Sequence, residues 1–556
     1  MKRLVKLLVL SMAALVLASC ARLPMVLTNE IGPEIVSKDK NESLYYSPQG
    51  PTSGDTQQEI LTEFLFAGNG PQNDYAVARE FLTMKFSAKW QPSTETLIQN
   101  GQTQIISNTG TKVRMRVFFD AKVNSDGTYE ATPGASRDLD FRLLQENGEW
   151  RISSAPDLTT LLRPNFQVLF QAVPVYFWDR SFAYLVPEIR WFPTKASLAT
   201  RLTNAMIAGP SDWLEPAVQN IFPSGTKLNI NSVTVNAGIA SIDFNASALK
   251  IPTWKRPYLR SQLQATLGAV NGLSQVSISI ERAVQDIPVG SSGFPDLNDN
   301  LPLALTPKGI AHIDGNNLLP IAETESYVQK QNAIDFALTA DESRLALLGN
   351  NAVFAYDLGL LGADSLLVDS RAGLVAPTVD AFNNIWTATS KPGATIRVLS
   401  ISGESVELAN PVGSRSVIRQ ILVSPEGSRL AVLHGNSSRA RVSLFPIIRD
   451  KNRKVTGFGA EWFLGTIGSR IESISWSSNS TLTTLIIDEQ GIQNVVEIMV
   501  GGDSTKGRLT TSGKTVVSTL SGGQYLLDEL QDLYIAKSFG WQRIDSKVKT
   551  IRLGGQ

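Results

Sequence analysis

Two stretches in the second half of the chain repeat one pattern. Ile334-Asp335-Phe336-Ala337-Leu338-Thr339-Ala340-Asp341-Glu342-Ser343-Arg344-Leu345-Ala346-Leu347-Leu348 parallels Ile418-Arg419-Gln420-Ile421-Leu422-Val423-Ser424-Pro425-Glu426-Gly427-Ser428-Arg429-Leu430-Ala431-Val432-Leu433. Each reads as apolar strand, polar turn, apolar strand. Weaker copies centre on Asn384-Ile385-Trp386, Ser480-Thr481-Leu482 and Asp532-Leu533-Tyr534. A repeat every ~40 to 50 residues is the size of one four-stranded blade. A β-sandwich does not restate one strand–turn–strand phrase at that interval. Residues 300–556 are therefore expected to form an all-β propeller of five or six degenerate blades.

The preceding residues change texture. At 556 residues the chain is too long for one core, and three domains is the natural expectation. Residues 55–164 read as α+β. Ile60, Leu61, Phe64 and Leu65 recur at helical spacing, and a second helix is expected from Tyr75 to Ala88 with Val77, Phe81, Leu82 and Phe86 inward. Val113, Met115, Val117 and Phe119 then alternate as in a half-buried strand. Glu146-Asn147-Gly148 predicts a tight hairpin. Residues 165–290 read as a second α+β domain. Its expected strands are Gln171–Phe177, Tyr184–Glu188, Asn229–Val235, Ile239–Phe244 and Val276–Ile280. Its helices are expected near Ser197–Ile207, closed by Gly209-Pro210, and Arg260–Ala269. The fold class is thus multidomain: two α+β domains followed by the propeller.

The N-terminus bears on destination. Met1-Lys2-Arg3 and Lys6 precede an apolar run from Leu7 to Ala18, the pattern of a secretory signal peptide over residues 1–19. A membrane-spanning helix needs ~20 apolar residues, more than this run offers. Leu17-Ala18-Ser19-Cys20 resembles the lipobox of bacterial lipoproteins. That resemblance implies cleavage between Ser19 and Cys20, and conversion of Cys20 to an N-palmitoyl, S-diacylglycerol cysteine. The chain has 1 cysteine, so Cys20 has no internal disulfide partner. Residues 20–54 contain Pro24, Pro33, Pro48 and Pro51 with polar stretches, and are expected to act as a lipidated tether. The expected location is the outer face of the cytoplasmic membrane, with membrane lipid engaged through Cys20.

Composition removes much chemistry. Lys plus Arg and Asp plus Glu both number 51, so nothing points to nucleic acid. There are 2 histidines, His312 and His434, and a Ser-His-Asp triad or zinc site would have to use one of them. Both are expected to be ordinary surface or strand residues. No catalytic residue, metal ligand or cofactor is assigned. Gly513-Lys514-Thr515 lacks the upstream glycine of a phosphate loop, where Arg508 stands, and reads as a hairpin turn. Asp243 and Glu281, at strand ends, could pair as acid and base, although ordinary solvation explains them. Arg449–Lys454 reads as a basic propeller loop, normally solvated, with contact to anionic wall polymer or lipid as the alternative. Trp178, Trp191, Trp213, Trp254 and Tyr258 crowd the second α+β domain. Most belong in a core, but Trp254 sits between Pro252 and Pro257. Trp254, Lys255, Arg256 and Tyr258 are the candidate binding surface.

Several phrases in the second domain look like the GerMN domain, named from a spore germination protein. They are Ala208-Gly209-Pro210, Pro223-Ser224-Gly225-Thr226-Lys227-Leu228, and Val235 to Phe244 with Gly238, Ala240, Ile242 and Asp243 at the marked positions. Taken with the lipobox, tether, first α+β domain and degenerate propeller, the order resembles the LpqB lipoprotein family of high-GC Gram-positive bacteria. The resemblance implies a non-enzymatic accessory. Its implied partner is the extracytoplasmic sensor domain of a two-component histidine kinase, in envelope homeostasis and cell division. A peptidoglycan-binding scaffold is the second reading, and a propeller hydrolase the third.

Overall fold

The computed structural model describes residues 48–556 except 72, 195–196, 296–300, 360–364, 437–438, 465–469, 503, 505–506, 511, 520 and 539. Ser19, Cys20, the signal peptide and most of the tether lie outside the described residues.

The first domain opens with helix Gln57–Ala67. The Thr56 side chain accepts from Glu59 N–H while the Glu59 carboxylate returns to the Thr56 backbone, a reciprocal cap. Ile60, Leu61, Phe64 and Leu65 are buried against the sheet as their spacing predicts. The expected helix from Tyr75 to Ala88 is instead two short ones, Ala76–Glu80 and Met84–Ser87. Between them the sheet captures the backbone. Thr83 N–H donates to Ile152 O at 2.9 Å, and Ile152 N–H to Phe81 O at 2.8 Å. The Thr83 side chain then caps the second helix.

The sheet orders its strands 149–154, 129–146, 112–124, 95–99 and 159–162, with 104–109 pairing the free half of 112–124. Strand Lys112–Asn124 buries Val113, Met115, Val117 and Phe119 on one face. Asn147 and Gly148 take φ of 55° and 83°, the two left-handed residues that a two-residue hairpin turn requires.

Helix Arg163–Leu169 leads straight into the second domain. There Phe170–Asp179 pairs with Leu185–Pro193 and, on its other edge, with Val218–Gln219. A second sheet runs 234–236, 239–244, 275–280 and 283–284, its central pair parallel. Helices Leu198–Ala208 and Arg256–Leu267 pack between these sheets, and their buried faces join one apolar core. The second helix starts earlier than its apolar spacing suggests, because Pro257 in its first turn needs no hydrogen-bond acceptor.

Among the described residues the propeller has six blades, each built on four antiparallel strands, with Trp462–Phe463 adding a fifth strand to the fourth. Blade 2 spans Asp335–Asp369, blade 3 Thr378–Leu408, blade 4 Ile418–Phe458, blade 5 Arg470–Thr510 and blade 6 Gly513–Asp545. Blade 1 takes three strands from Pro302–Pro320, and its innermost strand is Thr550–Leu553 from the far end of the chain. The innermost strands touch in turn and close the ring. Six wedge-shaped apolar clusters fill the spaces between successive blades. The Gln420 side-chain amide adds a stitch, donating to Ile474 O at 2.9 Å and accepting from Ile474 N–H at 3.1 Å. Gly513-Lys514-Thr515 is not a turn but the start of the innermost strand of blade 6. Gly513 is needed there because a Cβ would lie 2.7 Å from Leu526 Cδ1.

Candidate functional site

The histidines occupy strands, as expected. His312 Nε2 is 2.9 Å from Glu342. His434 is buried, with Nδ1 2.7 Å from Ser416 Oγ and Nε2 2.8 Å from Ser443 Oγ. Ser443 donates to Glu461 at 2.5 Å, so Nε2 carries the proton that Ser443 accepts and Nδ1 accepts from Ser416. Burial first, and Arg441 second, push the His434 imidazole down to about 4, so it is neutral near pH 7. Asp243 and Glu281 do not form an acid and base pair. Asp243 accepts from Arg282 N–H and Asn229, while Glu281 accepts from Ala246 N–H. Among the described residues, no group of His, Cys, Asp and Glu is placed to hold a metal ion.

The aromatic surface forms around one turn. Asp179, buried at the end of its strand, accepts from the backbone N–H groups of Ser181, Ala183 and Tyr184 and from the Ser181 hydroxyl, at 2.6 to 2.8 Å. The turn holds Phe182 at φ 56°, a left-handed conformation costing a side-chain-bearing residue about 1–2 kcal/mol. Phe182 thereby reaches Trp254 at 5.4 Å and Tyr258 at 4.8 Å, both ring-centroid distances. The Lys255 ammonium lies 5.2 Å from the ring centres of both Phe182 and Trp254. Tyr258 also meets the buried Trp178 edge-on at 5.1 Å. Trp254 stays 59 % exposed, which is the position a contact residue needs.

Trp254, Lys255 and Tyr258 thus come together, whereas Arg256 points back to Ile251 O at 3.5 Å and lies outside the ring cluster. Phe182 and Asp179 are the members that sequence spacing missed. The signal available was the Asp179-Arg180-Ser181 run, a turn former inside an aromatic stretch.

The other tryptophans of this domain bolt it to the propeller. Trp191 Nε1 donates to Gly501 O and Trp213 Nε1 to Ala460 O, each at 2.9 Å. Trp213 also meets Trp462 at 5.0 Å. Tyr184 O–H donates to Ala381 O at 3.3 Å, and the buried Arg429 reaches Pro187 O at 3.4 Å. The Arg449–Lys454 segment is not merely a solvated tip. Arg449 is buried and bonded to Asp380 at 2.7 Å, and Arg453 lies over Phe382 at 5.3 Å.

Comparison with known proteins gives three matches along the chain. The Lipoprotein LpqB N-terminal domain matches residues 50–167, a domain described as Sporulation and spore germination matches 174–285, and the Lipoprotein LpqB beta-propeller domain matches 310–549. A Lipoprotein LpqB of Cutibacterium acnes is 24 % identical over 549 residues, covering 92 % of both chains. One of Nocardia farcinica is 24 % identical over 564 residues, covering 92 % of this chain and 91 % of its own. One of Corynebacterium diphtheriae is 32 % identical over 188 residues, or 32 % of each chain. No helix among the described residues is long and apolar enough to cross a membrane. With these three domains in this order, and relatives alike across nearly their whole length, the chain belongs to the Lipoprotein LpqB family.

Proposed function

We propose that this lipoprotein is a non-enzymatic accessory, held by lipid on Cys20 at the outer face of the cytoplasmic membrane. There it binds and modulates the sensor domain of a two-component histidine kinase in envelope homeostasis and cell division. The identity of the partner rests on the family resemblance. The observation that carries a binding role is the exposed Trp254, kept in place by a strained, Asp179-tied turn on a body bolted to the propeller. Such backbone strain persists only where surrounding contacts over-determine it, as the hydrogen bonds to Asp179 do here. Two acyl chains give stable anchoring where one gives marginal binding, and confinement to the partner's membrane raises the effective concentration. A modulator must also bind one kinase state better than another.

The test is capture of the purified kinase ectodomain by the full chain, for the natural protein and for Trp254→Ala. Binding that is lost or weakened about tenfold in the variant supports the proposal. Absence of any binding by the natural chain overturns it. For the anchor, Cys20→Ala is expected to leave the membrane fraction, and retention there would refute lipid attachment at this residue.

A further inference from the structure

A groove of about 680 Å³ lies where blades 3 and 4 meet the second domain. That volume is ordinary for a small-molecule site, and domain junctions are a common place for one. Three turns wall it, and each is fixed by its own side chain. Asp380 accepts from the backbone N–H groups of Phe382 and Asn384 at 2.9 and 3.0 Å. Ser400 Oγ accepts from Glu404 N–H at 3.0 Å and lies 2.8 Å from Ser402 Oγ. Asp450 accepts from Asn452 and Lys454 N–H at 2.8 and 3.0 Å. Tyr184, 5.5 Å from Phe382, brings the second domain to its edge. The walls are therefore preorganised.

The charges in the groove are unevenly committed. Glu404 is ion-paired to Lys454, and Asp450 is taken up by its own turn. The Arg453 guanidinium carbon lies 5.3 Å from the Phe382 ring centre in the groove wall, and it makes no ion pair with a carboxylate among the described residues. A guanidinium resting on an aromatic ring presents a planar fork suited to a carboxylate. Ser402 and Asn452 add a neutral hydroxyl and amide, the Asn383 amide N–H is turned to Asp341 at 2.9 Å, and Ile401, Val406 and Val455 supply apolar surface.

We propose that this groove binds an acidic sugar unit, with its carboxylate on Arg453 and its hydroxyl or acetamido groups against Ser402 and Asn452. This goes beyond the kinase reading and does not depend on it. Because Tyr184 lines the groove, an occupant touches both domains at once.

The experiment is calorimetric titration of the detergent-solubilised full chain with two matched probes. One is the disaccharide of N-acetylglucosamine and N-acetylmuramic acid. The other is diacetylchitobiose, which lacks the lactyl carboxylate. Saturable binding of the first, at least tenfold weaker for the second and at least tenfold weaker in Arg453→Gln, supports the site. A groove-filling variant, Ser402→Trp, is expected to abolish binding while the thermal midpoint stays put. Equal affinity for both sugars, unchanged affinity in Arg453→Gln, or no binding of the acidic probe at millimolar concentration would overturn it. Arg453→Gln should still capture the kinase ectodomain, which separates failure of this site from failure of the kinase reading.

Discussion

Arg190 of the second domain, 1 % exposed, reaches Asp126 of the first at 2.5 Å. The same guanidinium bonds Glu188 at 2.5 Å. Beside this pair, Gly127 at φ 86° lets the turn close on Phe192, since a Cβ there would lie 2.9 Å from that ring. Arg190→Ala would leave the half-buried Glu188 with the Ser211 N–H and hydroxyl as donors but without its counter-charge. A loss of about 3–5 kcal/mol in urea unfolding is expected, and a loss under about 1 kcal/mol would show that the pair is not the hinge pin of this junction. Burial alone would raise the Asp126 carboxyl, but Arg190 and the Thr128 hydrogen bonds outweigh it and hold it below the ordinary value. A depressed carboxylate stabilises above its unfolded value, so this contribution should fade as pH falls below about 4.

His434 sets a second pH dependence with a different window. Its imidazole is held near 4 in the fold against 6.5 when free. The unfolded chain therefore binds this proton first. Its stabilising effect is complete above about pH 6.5 and declines as pH falls toward about 4. Allowing for solvent at the Glu461 end, the span should be about 2 kcal/mol. His434→Gln should flatten that part of the stability curve, and an unchanged slope would contradict the assignment.

Trp213 and Trp462 should be energetically coupled although they belong to different domains. A double-mutant cycle with Trp213→Ala and Trp462→Ala is expected to give about 0.5–1.5 kcal/mol. Strict additivity would mean that the rings merely lie side by side.

Trp254→Ala should separate function from stability. At 59 % exposure the side chain contributes its contacts with Phe182 and Lys255 but little to the core, so unfolding should move by no more than about 1.5 kcal/mol. Capture of the kinase ectodomain is where the loss should register. A large drop in stability would make Trp254 a packing residue instead.

The features legible in the sequence were those with local causes. Asn147-Gly148 announces its hairpin because only certain residues accept two left-handed positions in a row. The blade phrases at 334–348 and 418–433 stand out because both of their strands are almost wholly buried. Blade 3 is harder to see, since its inner strands Thr378–Val379 and Ile385–Thr387 are very short. The copy at Asp532-Leu533-Tyr534 was out of phase. It opens the third strand of blade 6, whereas Asn384-Ile385-Trp386 opens the second strand of blade 3. An Asp or Asn begins turns at both places, so the phrase cannot tell them apart. The domain bolts were illegible for a different reason. Trp191 donates to a backbone carbonyl 310 residues away, and a carbonyl has no letter of its own in a sequence.

The closure of blade 1 by Thr550–Leu553 has a consequence for biogenesis. The strand at Pro302–Thr306 waits for a partner that emerges almost 250 residues later. Pairing so distant in sequence makes folding slow and leaves strand edges open meanwhile. Whatever the order in which the blades fold, the ring stays unlatched until Thr550–Leu553 is free to pair with Pro302–Leu305.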